Sequence, residues 1–283
     1  MLDLLLAILS SAAVSAMLRI GERRTSGMYG RFAMNYLSGA ILAYLAMSSR
    51  AFSLEGGGWA ALGLGAAQGL LYLGTLVILQ GNIRRNGVIL SGTFARLGLV
   101  VPMLFAVVAF GELPTGVQLA GFVLACAAIW LIRTDSAGEA VTSKTGLLLL
   151  LVCSGLTDSL AKIFETVGSR DLDGWFLLIT FLVALVVCLG MVVYKKEHLG
   201  WREVLYGCLV GIPNYGSVFF LLRALTQLPA VLVYPTYSAG TILVISLIGV
   251  AAFRERPGKR QWCGLAIILV ALVLLNQIGR AHV

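Results

Sequence analysis

The organisation of the chain is set by the stretch LLLAILSSAAVSAMLRIGE, residues Leu4–Glu22, because a related stretch follows in the second half. The later stretch, LLLLLVCSGLTDSLAKIFE at Leu147–Glu165, has a similar apolar run and also ends on a glutamate, 143 positions on. At the far end of each half, Glu112 and Glu255 are separated by the same 143 positions. A single spacing that holds over most of the chain indicates an internal duplication.

The composition places both copies in a membrane. Of 283 residues, 59% are hydrophobic and 12% are charged, and the mean hydropathy is +0.94, whereas about a quarter of the residues of a soluble domain are charged. Apolar runs of about 17–25 residues cross the ~30 Å hydrocarbon core as helices. Ten such runs occur, numbered here as spans 1 to 10: Leu2–Leu18, Phe32–Ser48, Trp59–Gln80, Gly87–Phe110, Thr115–Ile132, Gly146–Phe164, Trp175–Tyr194, Val204–Leu222, Ala230–Phe253 and Gln261–Gln277.

Each copy holds five spans, and this odd number determines how the copies are related. After five crossings the chain is on the other side of the membrane, so the second copy enters from the opposite face. The expected fold is an all-α integral membrane protein of ten transmembrane helices, arranged as two inverted five-helix repeats. The expected repeats are residues 1–140 and 141–283. The final residues 278–283, IGRAHV, match the translation of a common sequencing adapter, and we interpret them as an artefact tail.

Basic residues are distributed unequally between the two sides of the membrane. The connections after the odd-numbered spans carry 15 of the 21 basic residues, among them Arg19, Arg31 and Arg254, whereas the opposite side has four. The positive-inside rule predicts cytoplasmic basic loops and both termini outside, in a multi-pass protein of the cell (inner or plasma) membrane. The net charge of +8 is spread over short loops, so it indicates topology and not nucleic-acid binding.

Motifs of enzymes and cofactor sites are missing from the sequence. HExxH, CxxC and GxSxG do not occur, and the five cysteines lie singly in apolar runs. We therefore expect no enzymatic activity, no metal site and no cofactor. The expected partners are a small-molecule substrate and the lipid bilayer, with a monomer as the functional unit.

Span 4 is interrupted by one guanidinium, in TFARLGLVVP at Thr93–Pro102. Arg96 lies roughly 15 Å from the start of the span at Gly87, near the bilayer midplane, where an arginine costs about 2.5–3.5 kcal/mol on insertion scales. It must face protein or a wet cavity, either as a structural ion pair or carbonyl clamp, or as a substrate ligand. We predict substrate contact. The matching residue of the second copy is Ala239, so the charge is not duplicated.

Other polar and aromatic side chains within the spans complete the predicted binding site. Two spans combine them with proline, in GIPNYG at 211–216 and VYPTYSAG at 233–240. Proline frees a backbone carbonyl, so we predict helix kinks at Pro102, Pro213 and Pro235. Hydrogen bonding between helices is the alternative role for each side chain. The predicted substrate-binding residues are Arg96, Tyr72, Gln68, Asn214, Tyr215, Tyr234, Tyr237 and Ser238.

Span 6 carries three charged side chains on one helical face. Asp158, Lys162 and Glu165 follow each other at intervals of four and three residues, so Lys162 can reach both carboxylates. The group has two interpretations, a self-satisfied structural network or a role in gating or proton coupling. The first copy has serine at the position of Asp158, which makes Asp158 the better functional candidate of the three.

A family resemblance is carried by the segment PMLFAVVAFGELPTGVQLAGFVLACAAIWLI, residues 102–132. Its pattern of proline, apolar run, Gly-Glu, turn, Gln-x-x-Gly and second apolar run resembles the drug/metabolite transporter superfamily, in its ten-helix branch with two EamA-type repeats. The second copy, FRERPGKRQWCGLAIILVALVLL at 253–275, has Arg254 where glycine is usual. The resemblance implies a transporter with cytoplasmic termini. On the termini, the charge distribution predicts the opposite.

The predicted function is secondary-active transport of a small metabolite by alternating access between the two repeats. Arg96 indicates an anionic or zwitterionic, amino-acid-like substrate, because carboxylates and phosphates bind a guanidinium through charge-assisted hydrogen bonds. An alternative is a multidrug exporter of cationic or aromatic compounds, with Asp158 as the binding acid. The repeat and the lack of catalytic groups disfavour a membrane-embedded enzyme or a lipid-binding scaffold.

Overall fold

The computed structural model describes residues 1–47, 52, 57–98, 101, 116–117, 120–121, 123–124, 127, 144–228 and 230–277. Within these residues the chain forms α-helices, a short 3-10 turn and no β-strand, which confirms the helical fold class for this part. Most of span 5, Pro102, Glu112 and the tail 278–283 lie outside the described residues. The helices are α1 (Leu2–Arg24), α2 (Met28–Ala46), α3 (Trp59–Leu97), α4 (Lys144–Val167), α5 (Asp173–Lys195), α6 (Trp201–Gln227), α7 (Ala230–Phe253) and α8 (Lys259–Gln277), and the 3-10 turn is Arg170–Leu172.

Six of the described helices are long and apolar enough to cross a membrane, namely α1, α3, α4, α5, α6 and α7. Large apolar side chains cover the outside of the bundle, and Leu45, Val186 and Leu247 are each 67% exposed. An apolar surface of this kind is stable against hydrocarbon and costly in water. The chain is therefore a multi-pass membrane protein.

Spans 3 and 4 are joined without a loop. The predicted connection GNIRRN, residues 81–86, is helical, and α3 covers 39 residues in two helical parts. The two parts are separated at a single residue, Gly87, whose φ of 81° and ψ of 173° are not helical. A Cβ at this position would lie 2.9 Å from Oε1 of Glu255. Glycine is needed here both for its backbone conformation and for the close approach of that carboxylate.

The first three helices pack mainly against the later helices. Helix α1 contacts α6 and α7, α2 contacts α5 and α6, and α3 contacts α4, α5 and α7. Small residues allow two of these approaches: a Cβ at Gly69 of α3 would lie 2.6 Å from the Thr180 carbonyl oxygen of α5, and one at Gly211 of α6 would lie 2.5 Å from that of Asn35 in α2. Close backbone approach at small residues is typical of helix pairs in membranes.

One end of the bundle, called the basic end here, contains Arg24 and Lys195 at the ends of α1 and α5, and Arg84 just before the Gly87 junction of α3. Carboxylates at this end accept hydrogen bonds from the first N–H groups of helices, which lack partners inside the helix. Glu203 accepts from Ser26 N (3.1 Å) and Gly27 N (3.4 Å), Glu197 from Tyr29 N (2.8 Å) and Gly30 N (3.0 Å), and Glu255 from Val88 N (2.6 Å) and Ile89 N (3.0 Å). These bonds join α2 and the second part of α3 to distant segments of the chain.

Candidate functional site

Arg96 lies on the part of α3 that follows Gly87, and it contacts two other helices. Its Nη2 donates a hydrogen bond to Oγ of Ser11 in α1, and its Cζ lies 4.6 Å from the centroid of the Tyr237 ring in α7. Ser11 and Tyr237 are both buried. A hydroxyl and an aromatic face are neutral partners, and the charge of Arg96 also interacts with that of Asp158 across the gap to α4. The guanidinium is thus in direct contact with two neutral groups, and Asp158 is a carboxylate close enough to interact with its charge.

A second group of predicted residues forms a hydrogen-bonded chain across three helices. The Tyr72 hydroxyl of α3 donates to Oδ1 of Asn214 in α6 over 2.7 Å. Nδ2 of Asn214 donates in turn to Oδ1 of Asn35 in α2 over 3.1 Å. Asn35 was not among the predicted residues. The signal for it is a lone amide in an apolar span, four residues after an arginine.

A cavity of about 70 Å³ lies beside this chain, between α3, α4, α5 and α6. Phe164 and Phe176 stack at its wall with ring centroids 4.1 Å apart. Gln68 also lines it and is buried, and its Oε1 has no hydrogen-bond partner within the described chain. Asp173, at the start of α5, places the cavity toward the end of the bundle remote from the basic end. Residues that line the cavity include Gln68, Tyr72, Ala161, Phe164, Asp173 and Phe181.

The other predicted residues are placed less closely together. Tyr215 is buried in an aromatic cluster, with its ring centroid 6.2 Å from that of Phe181 and 5.5 Å from that of Phe219. Ser238 is buried beside Tyr237 on α7, and Arg96 is not part of the cavity lining given by the described residues. Pro213 lies inside α6, which continues to Gln227. Tyr234, Pro235, Lys162 and Glu165 lie on helices, but their side chains are outside the described part, as is the whole of Pro102.

Arg31 is the main correction to the sequence analysis. Counted there as a charge of a basic loop, it lies inside α2 and is 2% exposed. Its Nη1 donates to Oγ1 of Thr25 over 2.6 Å and its Nη2 to Oε1 of Gln80 over 3.0 Å. Gln80 then donates to Glu22, which is also bonded to Arg84. The physical reason is that α2 begins at Met28, so Arg31 is already within the helix packing.

Comparison with known proteins places this arrangement in a family. The model of the EamA-like transporter family matches residues 144–277. A probable 4-amino-4-deoxy-L-arabinose-phosphoundecaprenol flippase subunit of Proteus mirabilis is 31% identical, over 36% of this chain and 96% of that protein. The chain belongs to the EamA-like transporter family. This family is part of the drug/metabolite transporter superfamily, and membership supports a membrane transporter of small substrates over an enzyme.

Further similarities extend over more of the chain. An uncharacterised protein of Haemophilus influenzae is 26% identical over 98% of both chains. A second probable flippase subunit of the same description, from Pseudomonas savastanoi, is 29% identical over 38% of this chain and 96% of its own. One crystal structure superimposes with a TM-score of 0.62 over 95% of both chains at 16% identity. At that identity the similarity concerns the fold alone.

Proposed function

We propose that this EamA-family protein is a secondary-active transporter of a small anionic or zwitterionic metabolite, amino-acid-like in its charged groups. The observation that carries the proposal is the setting of Arg96, a guanidinium held by Ser11 and Tyr237 near the middle of the bundle. Its hydrogen-bonded partner is neutral, so a carboxylate or phosphate gains a charge-assisted hydrogen bond there. The hydrogen-bonded chain from Tyr72 to Asn35 and the neighbouring cavity provide further polar groups for the same substrate.

We propose alternating access between two inverted five-helix repeats, residues 1–140 and 141–283, as the mechanism. The helix contacts support this mechanism. When both helices of a contacting pair are replaced by their counterparts 143 positions away, the new pair is also in contact. The contact of α1 with α6 becomes that of α4 with α3, and the contact of α2 with α6 becomes that of α5 with α3. Both members of each pair occur. Such symmetry allows the bundle to adopt two equivalent states that open to opposite sides.

The proposed orientation has the basic end in the cytoplasm and both termini outside, with a monomer as the functional unit. The positive-inside rule is the argument for the orientation. The cavity beside Tyr72 then lies toward the outside, and the carboxylate bonds of Glu197, Glu203 and Glu255 lie on the cytoplasmic side. At about 70 Å³ the cavity is smaller than the roughly 300–1,000 Å³ of typical ligand sites. In this proposal it widens when the outer end opens.

A second candidate substrate comes from the flippase-subunit relatives. Their description names a phosphoundecaprenol that carries an amino sugar. A phosphate also suits Arg96, and an amine suits Asp158 on α4. The second candidate for this chain is therefore a lipid-linked sugar phosphate, which shares the anionic group but adds a long apolar tail.

The test is transport by the purified protein in liposomes. Labelled glutamate, alanine and glycerol 3-phosphate are offered beside a cationic dye, and we expect uptake of an anionic or zwitterionic compound that falls at least tenfold in Arg96→Ala. Arg84→Ala is the matched control, because Arg84 lies on the same helix with a side chain 70% exposed. Gel filtration and thermal melting of both variants test whether they are folded.

The outcomes separate the candidates. Unchanged uptake in Arg96→Ala overturns the role of Arg96. Transport of the cationic dye that is lost in Asp158→Asn and kept in Arg96→Ala supports the exporter of cationic compounds instead. Transfer of a fluorescent lipid-linked phosphate between leaflets, with no uptake of the soluble compounds, supports the second candidate substrate.

A further inference from the structure

We propose that Arg31 and Asn35 form a second anion subsite, in the half of the bundle near the basic end, and that it receives the acidic group of the substrate after Arg96. The inference rests on the proposed function, because it assigns a further step to the same substrate. Neither residue was predicted to bind substrate: Arg31 was counted as a loop residue, and Asn35 was not selected.

Burial of the two side chains is the first argument. Arg31 is 2% exposed and Asn35 is 0% exposed. They are four residues apart on α2, so both project from the same face of the helix. A buried guanidinium is costly unless it is compensated. The groups that hydrogen-bond Arg31 are neutral, the Thr25 hydroxyl and the Gln80 amide oxygen, and its charge is balanced only from farther away, by carboxylates that do not bond it.

Unpaired donors are the second argument. Nε of Arg31 and Nδ2 of Asn35 are buried and have no hydrogen-bond acceptor in the described part of the chain. A buried donor without an acceptor costs about 1–3 kcal/mol, so two of them on one helix face indicate a place for an acceptor. A carboxylate or phosphate has several acceptor oxygens and also compensates the guanidinium charge.

The position of the pair along the bundle is the third argument. On one side, Asn35 is linked through Asn214 to Tyr72, which lines the cavity. On the other side, Arg31 is linked through Gln80 and Glu22 to Arg84, whose side chain is exposed at the basic end. The pair therefore lies between the cavity and the basic surface, on the route that a substrate takes across the bundle.

Lack of duplication is the fourth argument. The positions 143 residues after Arg31 and Asn35 are Gly174 and Leu178. Arg96 likewise has Ala239 as its counterpart. The scaffold is repeated, but both guanidinium sites are single, as expected for groups that bind one end of an asymmetric substrate and not for groups that hold the repeat together.

The decisive variant is Asn35→Asp. Aspartate keeps the oxygen that accepts from Asn214 but replaces the unpaired donor with a second acceptor beside Arg31, so the fold is retained and an anion is repelled. In liposomes we expect at least a tenfold lower uptake rate of glutamate, alanine or glycerol 3-phosphate, whichever the wild type transports. Stabilisation of the protein by the same compound in a thermal melt should be kept, because Arg96 still binds it.

Two further variants complete the experiment. Arg31→Gln removes the charge and should also slow uptake, whereas Arg84→Gln, which removes an exposed charge of the same network, should leave it within about twofold. If the wild type transports a probe and both Asn35→Asp and Arg31→Gln match Arg84→Gln, the subsite is overturned and the proposed function stands. If the wild type transports none of the probes, the proposed function itself fails, and the subsite fails with it.

Discussion

The two ends of α1 carry matching carboxylate contacts. Near the basic end, Glu22 accepts from Nε2 of Gln80 at 3.0 Å and is bonded to Arg84. At the opposite end, Asp3 accepts from Nε2 of Gln227 at 2.8 Å and lies 3.7 Å from Nε of Arg223. Gln80 and Arg84 correspond to Arg223 and Gln227 by the spacing of 143, so the amide and the guanidinium have exchanged places. The amide and guanidinium partners are counterparts, whereas the two carboxylates are not, because Glu165 is the counterpart of Glu22.

Next to these contacts the two ends differ in packing. Near the basic end the Arg31 side chain lies over Gly21, where a Cβ would be 3.0 Å from its Cδ. The counterpart of Gly21 is Phe164 and that of Arg31 is Gly174. In that half, a cavity remains beside the stacked rings of Phe164 and Phe176. The difference teaches that one helix arrangement is filled at one end and partly hollow at the other, as the proposed mechanism requires of a state closed on one side.

The largest effect is expected from Gly87→Ala, which disrupts the tightly packed basic end. The backbone at Gly87, with φ 81° and ψ 173°, is nearly restricted to glycine and costs other residues about 1–3 kcal/mol. The new Cβ would also displace Glu255 from Val88 N, and loss of such a cap costs about 1 kcal/mol more. We expect a loss of about 2–4 kcal/mol in unfolding experiments in detergent.

Gly81→Ala is the control for that variant. Gly81 is on the same helix, and no atom outside its local backbone lies within 4 Å of the added Cβ. Alanine should stabilise this helix interior by about 0.5–1 kcal/mol. Equal melting temperatures for the two variants would contradict the assigned role of Gly87.

Ala161→Leu fills the end of the bundle that contains the cavity, so that it resembles the basic end. Ala161 lines the cavity, and its counterpart in the first copy is already leucine, Leu18. The larger side chain occupies the cavity, so uptake in liposomes should fall about tenfold while the protein remains folded, equivalent to about 1.4 kcal/mol. Ala266→Leu, at an exposed position of α8, should transport normally. Normal transport by both variants would show that the substrate does not pass through the cavity.

A smaller, stabilising effect is expected from Arg254→Gly. Arg254 has a φ of 54°, in the left-handed region where side chains are strained, which explains why the family pattern has glycine there. Glycine should raise the free energy of unfolding by about 0.4–1 kcal/mol, measured by thermal or chemical melting. Arg256→Gly, at a residue without a positive φ, should give no increase, and an equal gain in both would exclude relief of strain.

The smallest effects are expected from Glu22→Gln and Asp3→Asn, which test whether the two ends of α1 are equivalent. Each change weakens a pair whose cationic partner is more than half exposed, with Arg84 at 70% and Arg223 at 56%, and Glu22 also loses a long contact of 3.9 Å with Nη1 of Arg19. Pairs of this kind contribute about 0.2–1 kcal/mol. Melting should show similar small losses. A loss several-fold larger in one variant would show that the exchanged residues are not interchangeable.

The helices could be predicted from the sequence because long apolar runs have few alternatives in a membrane. Helix α7 begins and ends at the predicted residues, Ala230 and Phe253, and α8 ends as predicted at Gln277. The segment 81–86 was wrongly predicted as a loop, because its polar residues suit a loop as well as a helix that extends beyond the apolar core.

The candidate site was only partly accessible to the same reasoning. A single charge in an apolar span selected Arg96, but Ser11 as its partner depends on the register between α1 and α3, which no local pattern contains. Arg31 was missed for a related reason. Its position near a cluster of basic residues suited a loop, and only the packing of α1, α2 and α3 shows that it is buried.

The single-residue junction at Gly87 has a mechanical consequence for Arg96. Nine residues of helix separate them, so Arg96 is at the end of a lever of roughly 13.5 Å. A rotation of about 10° at Gly87 would displace the Arg96 backbone by about 2.4 Å, enough to break a hydrogen bond to Ser11. Because Glu255, two residues after the end of α7, binds the first N–H groups of this helical part, a movement of α7 at the basic end would also displace Arg96.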